Sequence, residues 1–432
     1  MPLALNRNIA ILLPLSALPS KGPIGDLGPS AFEFIDFLKS IGAQAWHILP
    51  LNTPDTNGSP YSSWSSLAAS PWYLYNEKVP LNYTERVNYE QLAALKREAL
   101  LDLAQNTDTS EFEKKNPELV MHLQHRSQTT GSSYEFELSC QTLFHTQWQK
   151  LKTYAHASGI QIIGDLPLFV SRNSADVQLR PELFNTQVSV GVPGDQFNPD
   201  GQNWGVPSFH WQAHQAQGFK WWIERFSLLL KMTDKIRLDH FIGLHHLFEI
   251  EPGRTGEWKT SLGRELLQTL SKHFGPLPIW AEDLGAVTQE VELLRDEFQF
   301  LGMRILQFGF DGDPSSNPHH PDFKARKLIT YTGTHDNQTL MGWWQTTADQ
   351  KKIISKLDTQ DVHLSLLKLA LNTSSEWIVF PMQDLLGLND EARMNIPGTC
   401  GPHNWSWRLS PDYQKNETLQ KVKTWLQQEL KA

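Results

Sequence analysis

The sequence predicts an α/β protein, a (β/α)8 TIM barrel with helical insertions in the βα loops. Three observations predict it. Short apolar runs bounded by turn residues recur eight times along the 432 residues with helical patterns between them, which is the element order a closed parallel barrel requires. Several runs end in charged residues, which such a barrel would gather at one mouth. No Gly-x-Gly-x-x-Gly stretch supports the alternative, an open doubly wound sheet.

The first run, 9–15, follows Arg7 and has the outline of a leader peptide, but Pro14 and Pro19 interrupt it and no small-x-small cleavage site follows. It is read as the first buried strand. A turn-rich segment, 21–28, leads to a helix over 29–41 and a second strand over 45–51. Next come a Ser/Pro/Trp-rich loop, 57–73, and a polar segment, helical around 89–103, that contains no strand pattern. The chain 1–432 is therefore taken as a single barrel domain, with 75–135 as a helical insertion subdomain after the second strand. Beyond it the alternation is regular. A helix over 136–157, stopped by Gly159, precedes a strand at 160–166; helices over 221–230 and 262–274 precede strands at 235–240 and 278–283. The last three strands are placed at 303–308, 328–332 and 376–381.

Composition narrows the function. A formal net charge of -9 with no offsetting Lys/Arg cluster argues against nucleic acid and for a neutral or cationic substrate. No apolar run approaches the roughly 20 residues of a membrane helix. Cys140 and Cys400 make neither a disulfide framework nor a zinc-ligand spacing, which fits a reducing, cytoplasmic setting. The sixteen tryptophans suit sugars, whose C–H faces stack on aromatic rings.

The strand ends carry Asp165, Arg237 with Asp239, Glu282, and His335 with Asp336. Arg237 and Asp239 lie two apart, so an extended chain projects both from one face. A guanidinium that close lowers a carboxylate's pKa by roughly 1–3 units, the condition a carboxylate nucleophile needs. Glu282 sits among the apolar residues 279–281 and Leu284, where desolvation would keep it protonated. Two chemistries suit such a mouth: a divalent metal held by carboxylates and His, or glycosyl transfer by paired carboxylates. Arg237, aimed into the same mouth, disfavours the cation. Neither metal nor cofactor is expected.

These strand ends and their flanking loops resemble glycoside hydrolase family 77, the 4-α-glucanotransferases called amylomaltase or disproportionating enzyme, which are related to the α-amylases. The resembling pieces are Ile24-Gly-Asp-Leu-Gly28, Ser59-Pro-Tyr61, Ile163-Gly-Asp-Leu-Pro167, Gly191-Val-Pro with Gly201-Gln-Asn-Trp-Gly205, Arg237-Leu-Asp-His240, Ala281-Glu-Asp-Leu-Gly285, Tyr331-Thr-Gly-Thr-His-Asp-Asn337, Gln383-Asp-Leu-Leu-Gly387 with Ala392-Arg-Met-Asn395, and Asn404-Trp405. They follow the family's order along the whole chain.

The resemblance implies a retaining double displacement that moves α-1,4-glucan segments between maltooligosaccharides. Asp239 would be the nucleophile, Glu282 the acid/base and Asp336 the group that holds ring hydroxyls and distorts the sugar. Asp165 and His335 would bind hydroxyls of the same glucose, Arg237 would orient Asp239, and Tyr61 would stack on that sugar. Gln202 and Trp204 match an acceptor-side loop, and Asn395 a substrate-contacting position. Asp283 is expected to be structural. The expected partners are α-1,4-glucan and maltooligosaccharide substrates, with neither nucleic acid nor membrane, on a monomer or weak homo-oligomer. Some positions depart from the family pattern. His47 stands where Gln is usual and Asn173 where Asp is usual, Gly194-Asp-Gln-Phe197 replaces Pro-Asp-Tyr-Phe, and 184–190 and 249–260 look trimmed. Two other functions stay open at this stage: a hydrolase using the same acids, and a catalytically silent glucan-binding protein, which would be expected to have lost one acid.

Overall fold

The computed structural model describes residues 7–430 except 80, 106, 195–200, 311, 312, 314, 326, 349, 355, 356 and 359; three residues of the divergent 194–197 segment therefore lie outside the described residues. Eight parallel strands, β1 (Asn8–Leu12), β2 (Ala45–His47), β3 (Gln161–Leu166), β4 (Lys235–Leu238), β5 (Ile279–Ala281), β6 (Leu301–Ile305), β7 (Leu328–Tyr331) and β8 (Trp377–Pro381), close into a barrel in chain order, with β8 pairing back onto β1. The strands are shorter than most of the apolar runs that predict them. The run 9–15 is strand only to Leu12, because Pro14 has no N–H for a ladder and the chain passes into the 3-10 turn Leu15–Ala17. The run 303–308 shifts to Leu301–Ile305, its tail being the 3-10 turn Leu306–Phe308. The run 235–240 stops at Leu238, because His240 takes a left-handed backbone with φ 48° and ψ 52°.

Helices wrap the barrel. α1 (Pro29–Ser40) begins on a proline, whose fixed φ suits a first helical turn, and buries Ala31, Phe34, Ile35, Phe37 and Leu38. The inserted segment forms α2 (Tyr89–Ala104), α3 (Ser110–Lys115) and α4 (Pro117–Thr130). α5 (Tyr134–Ala157) is capped by Ser133, whose Oγ accepts from Phe136 N, and it ends before Gly159 at φ 78°. α2 and α4 pack on α5, so most of the insertion thickens the outer layer, while Tyr89 Oη reaches inward to donate to Trp405 O at 3.0 Å. α6 (Lys220–Met232) leads to β4, α7 (Gly263–Phe274) to β5 and α8 (Gln289–Glu297) to β6. α7 shows the pattern plainly, with Leu266, Leu267 and Leu270 forming one buried stripe. Between β6 and β7 the described residues hold only the turn Leu306–Phe308, so the sixth unit departs from a strict eightfold strand–helix repeat. α9 (Leu340–Thr346) and α10 (Val362–Leu371) precede β8, and α11 (Glu417–Glu429) buries Leu419, Val422, Trp425 and Leu426. Among the described residues, no helix is long and apolar enough to cross a membrane.

An accessory sheet rises from the loops after β3 and β4. Its order is Glu257–Thr260, His246–Ile250, Ser189–Val192, Gln202–Asn203, all antiparallel. The sequence shows no hint of it beyond two trimmed segments, since strands of two to five residues carry too few alternations to read.

Candidate active site

Register sets the charge pattern at the mouth. Asp165 on β3 pairs across the ladder with Arg237 on β4, so the two side chains emerge side by side. Arg237 is 4 % exposed, and its Nη1 donates to Asp165 Oδ1 and Oδ2 at 3.1 and 2.9 Å and lies 2.9 Å from Asp239 Oδ1. One guanidinium thus holds two carboxylates. Burial alone would lower the Arg237 pKa, but Asp165 and Asp239 outweigh it and hold the group firmly protonated. Burial pushes the Asp165 carboxyl up, against the pull of Arg237.

The strained turn after β4 serves β5. With His240 left-handed, its N–H donates to Glu282 Oε2 at 2.7 Å, while Phe241 N donates to Glu282 O and Glu282 N to Leu238 O, both at 3.0 Å. These bonds lash the ends of β4 and β5 together, and with them Asp239 and Glu282. Burial raises the Glu282 pKa well above the carboxyl range, Arg237 opposes this, and the Asp239 charge adds to it. A carboxyl so placed carries its proton to higher pH. Asp283, one residue on, turns away into a buried network with Arg295 Nη1 (2.5 Å), Met303 N (2.7 Å) and Arg304 Nη1 (3.4 Å).

The loop after β7 brings the third acid. Asp336 Oδ1 accepts from Asn395 Nδ2 at 2.6 Å, its backbone O accepts from Arg393 Nη2 at 2.5 Å, and His335 Nε2 is 3.4 Å from its Oδ2. Burial lowers the His335 pKa, which favours the neutral imidazole, against the pull of Asp336. Both ends of this loop are pinned. Thr332 Oγ1 and Leu340 N donate to the two oxygens of Asp384 at 2.6 and 2.8 Å, and Gln338 Nε2 and Thr339 N to those of Asp390 at 2.6 and 3.0 Å. Burial pushes the Asp384 carboxyl up to about 7.

Tyr61 joins the two halves. Its hydroxyl donates to Asp165 Oδ2 at 2.9 Å and its ring stacks on His335, centroids 5.1 Å apart at 19°, with Trp405 tilted 5.6 Å away. On the far side, Trp204 Nε1 donates to Gln202 Oε1 at 3.0 Å and the indole stands edge-on to His240 at 4.8 Å. All ten residues singled out in the sequence therefore form one connected set: Asp239, Arg237, Asp165, Tyr61, His335, Asp336 and Asn395 in a chain, with Glu282, Gln202 and Trp204 attached through His240. Asn395 enters the set through its amide, which donates to Asp336.

Sequence reasoning missed four contributors. His240 gives its backbone to Glu282, and Asp384 and Arg393 fix the Asp336 loop; only the Gln383-Asp-Leu-Leu-Gly387 and Ala392-Arg-Met-Asn395 motifs flagged the last two. His47, read only as a departure, lies beneath the site. Its Nδ1 is 3.3 Å from Tyr331 Oη and its Nε2, without a hydrogen bond, is 3.9 Å from Asp165 Oδ2. Chemically, the mouth offers one carboxylate held by a cation, one desolvated carboxyl and a third acid held by an amide. Arg237 Nη1 fills the place between Asp165 and Asp239 that a bridging cation would need.

The chain matches the glycoside hydrolase family 77 model, described as 4-alpha-glucanotransferase, over residues 13–126 and 109–414. It is 37% identical to the 4-alpha-glucanotransferase of Synechocystis sp. over 96% of this chain and 95% of the relative. Against the Thermus thermophilus 4-alpha-glucanotransferase the figures are 33%, 94% and 95%. The amylomaltase of Streptococcus agalactiae, solved in complex with acarbose, superposes with a TM-score of 0.89 at 29% identity, covering 98% of this chain and 99% of that one.

Proposed function

The chain belongs to glycoside hydrolase family 77, the 4-α-glucanotransferases, and from that premise we propose that it moves α-1,4-glucan segments between maltooligosaccharides by a retaining double displacement. Asp239 attacks the anomeric carbon while Glu282 gives its proton to the departing glycosidic oxygen, forming a glycosyl ester and releasing the reducing-end fragment. Glu282, now a carboxylate, takes the proton of an incoming sugar hydroxyl, whose oxygen attacks the same carbon and expels Asp239. Asp336, with His335 and Asp165, holds hydroxyls of the reacting glucose, and Arg237 fixes the Asp239 carboxylate. Tyr61 and Asn395 shape that subsite, and Gln202 and Trp204 border the acceptor.

The observation that carries this reading is the opposed setting of the two acids. Asp239 is held by Arg237, whereas Glu282 is desolvated and raised, so one is suited to attack and the other to proton transfer. No metal or cofactor enters a step, so chelation should leave the rate unchanged. The cytoplasmic setting is a companion proposal resting on the two free cysteines.

Hydrolysis is the competing outcome, because it shares the ester intermediate. Given maltotriose alone, the transferase yields glucose and a ladder of longer chains at a nearly constant number of reducing ends; reducing ends rising in step with maltotriose consumption would make it a hydrolase. Trapping the ester on Asp239, read by peptide mass spectrometry, tests the nucleophile. Asp239→Ala should lower kcat at least ~10⁴-fold with an unchanged melting temperature, and an adduct on any other residue would overturn the assignment.

A further inference from the structure

We propose that the outer face of the accessory sheet is a second glucan-binding surface, on which Trp258 and Phe248 stack an α-1,4-glucan chain too long for the mouth alone. The inference rests on the glucan-transfer reading above and extends it to a surface that the catalytic steps do not use. Register defines the face. Trp258 pairs with Phe248, Phe248 with Gly191 and Gly191 with Asn203, so these four positions share one side of the sheet and form a row across it, three strand spacings or ~14 Å long. The opposite side carries Leu247 and Val190, both buried in the hydrophobic cluster below. Trp258 and Asn203, at the two ends of the row, are exposed and Phe248 is half-buried, while Gly191 between them is covered by Gln202 and Ile250.

Its chemistry fits a neutral polyhydroxylated chain. Of the sixteen tryptophans, Trp258 alone is exposed, at 41 %. It is held in place by His246, edge-on at 4.5 Å, and by Phe248 at 5.2 Å, so little rotamer freedom remains to be lost on binding. Gly256 makes room for the Phe248 ring, which stands 2.4 Å from where a Cβ would be. At the other end of the row, the Asn203 amide oxygen already accepts from Ser189 Oγ and Gly205 N, which leaves its NH2 group to donate to a hydroxyl. The charges nearby are paired, Lys259 with Glu257 and Arg254 with Glu251, so among the described residues the face offers no free cation to an anionic ligand. The strand bearing Asn203 also bears Gln202 and runs into Trp204, so a chain crossing the row ends beside the proposed acceptor border.

Trp258→Ala is the test, with Trp258→Phe as its conservative partner. Transfer rates are measured on maltotriose and on long-chain amylose, together with retardation in native gels containing amylose. The alanine variant should raise KM for amylose about five- to tenfold and lose gel retardation while maltotriose turnover stays within about twofold, and the phenylalanine variant should recover most of the difference. Unchanged amylose KM and retardation in the alanine variant overturn the proposal. So does an equal loss on maltotriose, which would make Trp258 part of the mouth itself. If the unmodified enzyme makes no transfer products from maltotriose, the transferase reading fails instead, and amylose retardation still reports on the surface.

Discussion

The mouth of this barrel has two sides built by different means. Around Asp165, Arg237, Asp239 and Asp336 the carboxylates are tied to the Arg237 guanidinium, the Tyr61 hydroxyl and the Asn395 amide, and the backbone behind Asp336 is pinned at both ends by Asp384 and Asp390. Around Gln202 and Trp204 the described residues show one side-chain hydrogen bond between the two and a few ring edges, on a strand of two residues at the margin of a small sheet. The contrast fits the parts proposed for the two sides. Stabilising charge in a transition state works only if the dipoles are fixed beforehand, and sub-ångström errors cost rate. Stacking a sugar on an indole tolerates sliding, which suits acceptors of differing length.

If the polar side is preorganised for charge, the largest effect after loss of the nucleophile should come from Glu282. Glu282→Gln should lower kcat by ~10²–10⁴-fold. Its raised pKa also sets the sign of the pH response: the proton that must be donated is present below that pKa, so the rate falls as pH rises through it. The glutamine variant should lose that alkaline limb, and a limb that persists would assign the titration elsewhere.

The loop clamp gives a sharper comparison, because it acts without touching sugar. Asp384→Ala removes the bonds to Thr332 and Leu340 at the two ends of the loop bearing His335 and Asp336, leaving only the Asp390 contacts, and kcat should fall ~10–100-fold with a smaller change in KM. Asp384→Asn can accept from Leu340 N and donate to Thr332 Oγ1, so it should retain most activity. Stability separates the two roles. The folded pKa of about 7 lies above the ordinary carboxyl value of 3.8, so the native state binds more protons between those limits and this group's contribution falls as pH rises from about 4 to about 7. The asparagine variant has no such fall, and its melting temperature should gain on the wild type as pH rises through that window. A gap independent of pH would remove Asp384 from the titration.

The two sides were also unequally legible in the sequence. Strand runs ending in Asp165, Arg237, Asp239 and Glu282 could be read because the barrel's period and its common mouth put strand-end residues together regardless of loop detail. What the loops add could not. His240 orients Glu282 through a left-handed backbone, and histidine at that position carries no signal of a positive φ. The amide of Asn395 goes to Asp336, a contact 59 residues away that no local pattern encodes. His47 looked like a deviation, whereas its ring fills the layer under Asp165 with Trp280 and Tyr331. The accessory sheet was invisible for the opposite reason: its strands are fixed by pairing with one another, not by their own alternation.

The smallest effect should come from the tolerant side, and there the kind of change matters more than its size. In the proposed mechanism water at ~55 M competes with every sugar for the ester, so transfer prevails only while an acceptor is held at high effective concentration. Trp204 contributes a ring and one hydrogen bond to Gln202, and it leans on His240, whose backbone serves Glu282. Trp204→Ala should therefore slow donor cleavage only about two- to threefold, while the ratio of transfer to hydrolysis, read from maltotriose products against new reducing ends, drops several-fold. A loss of cleavage as large as the loss of transfer would mean that Trp204 holds His240, and through it Glu282, in place. The tolerant side would then be mechanically continuous with the rigid one.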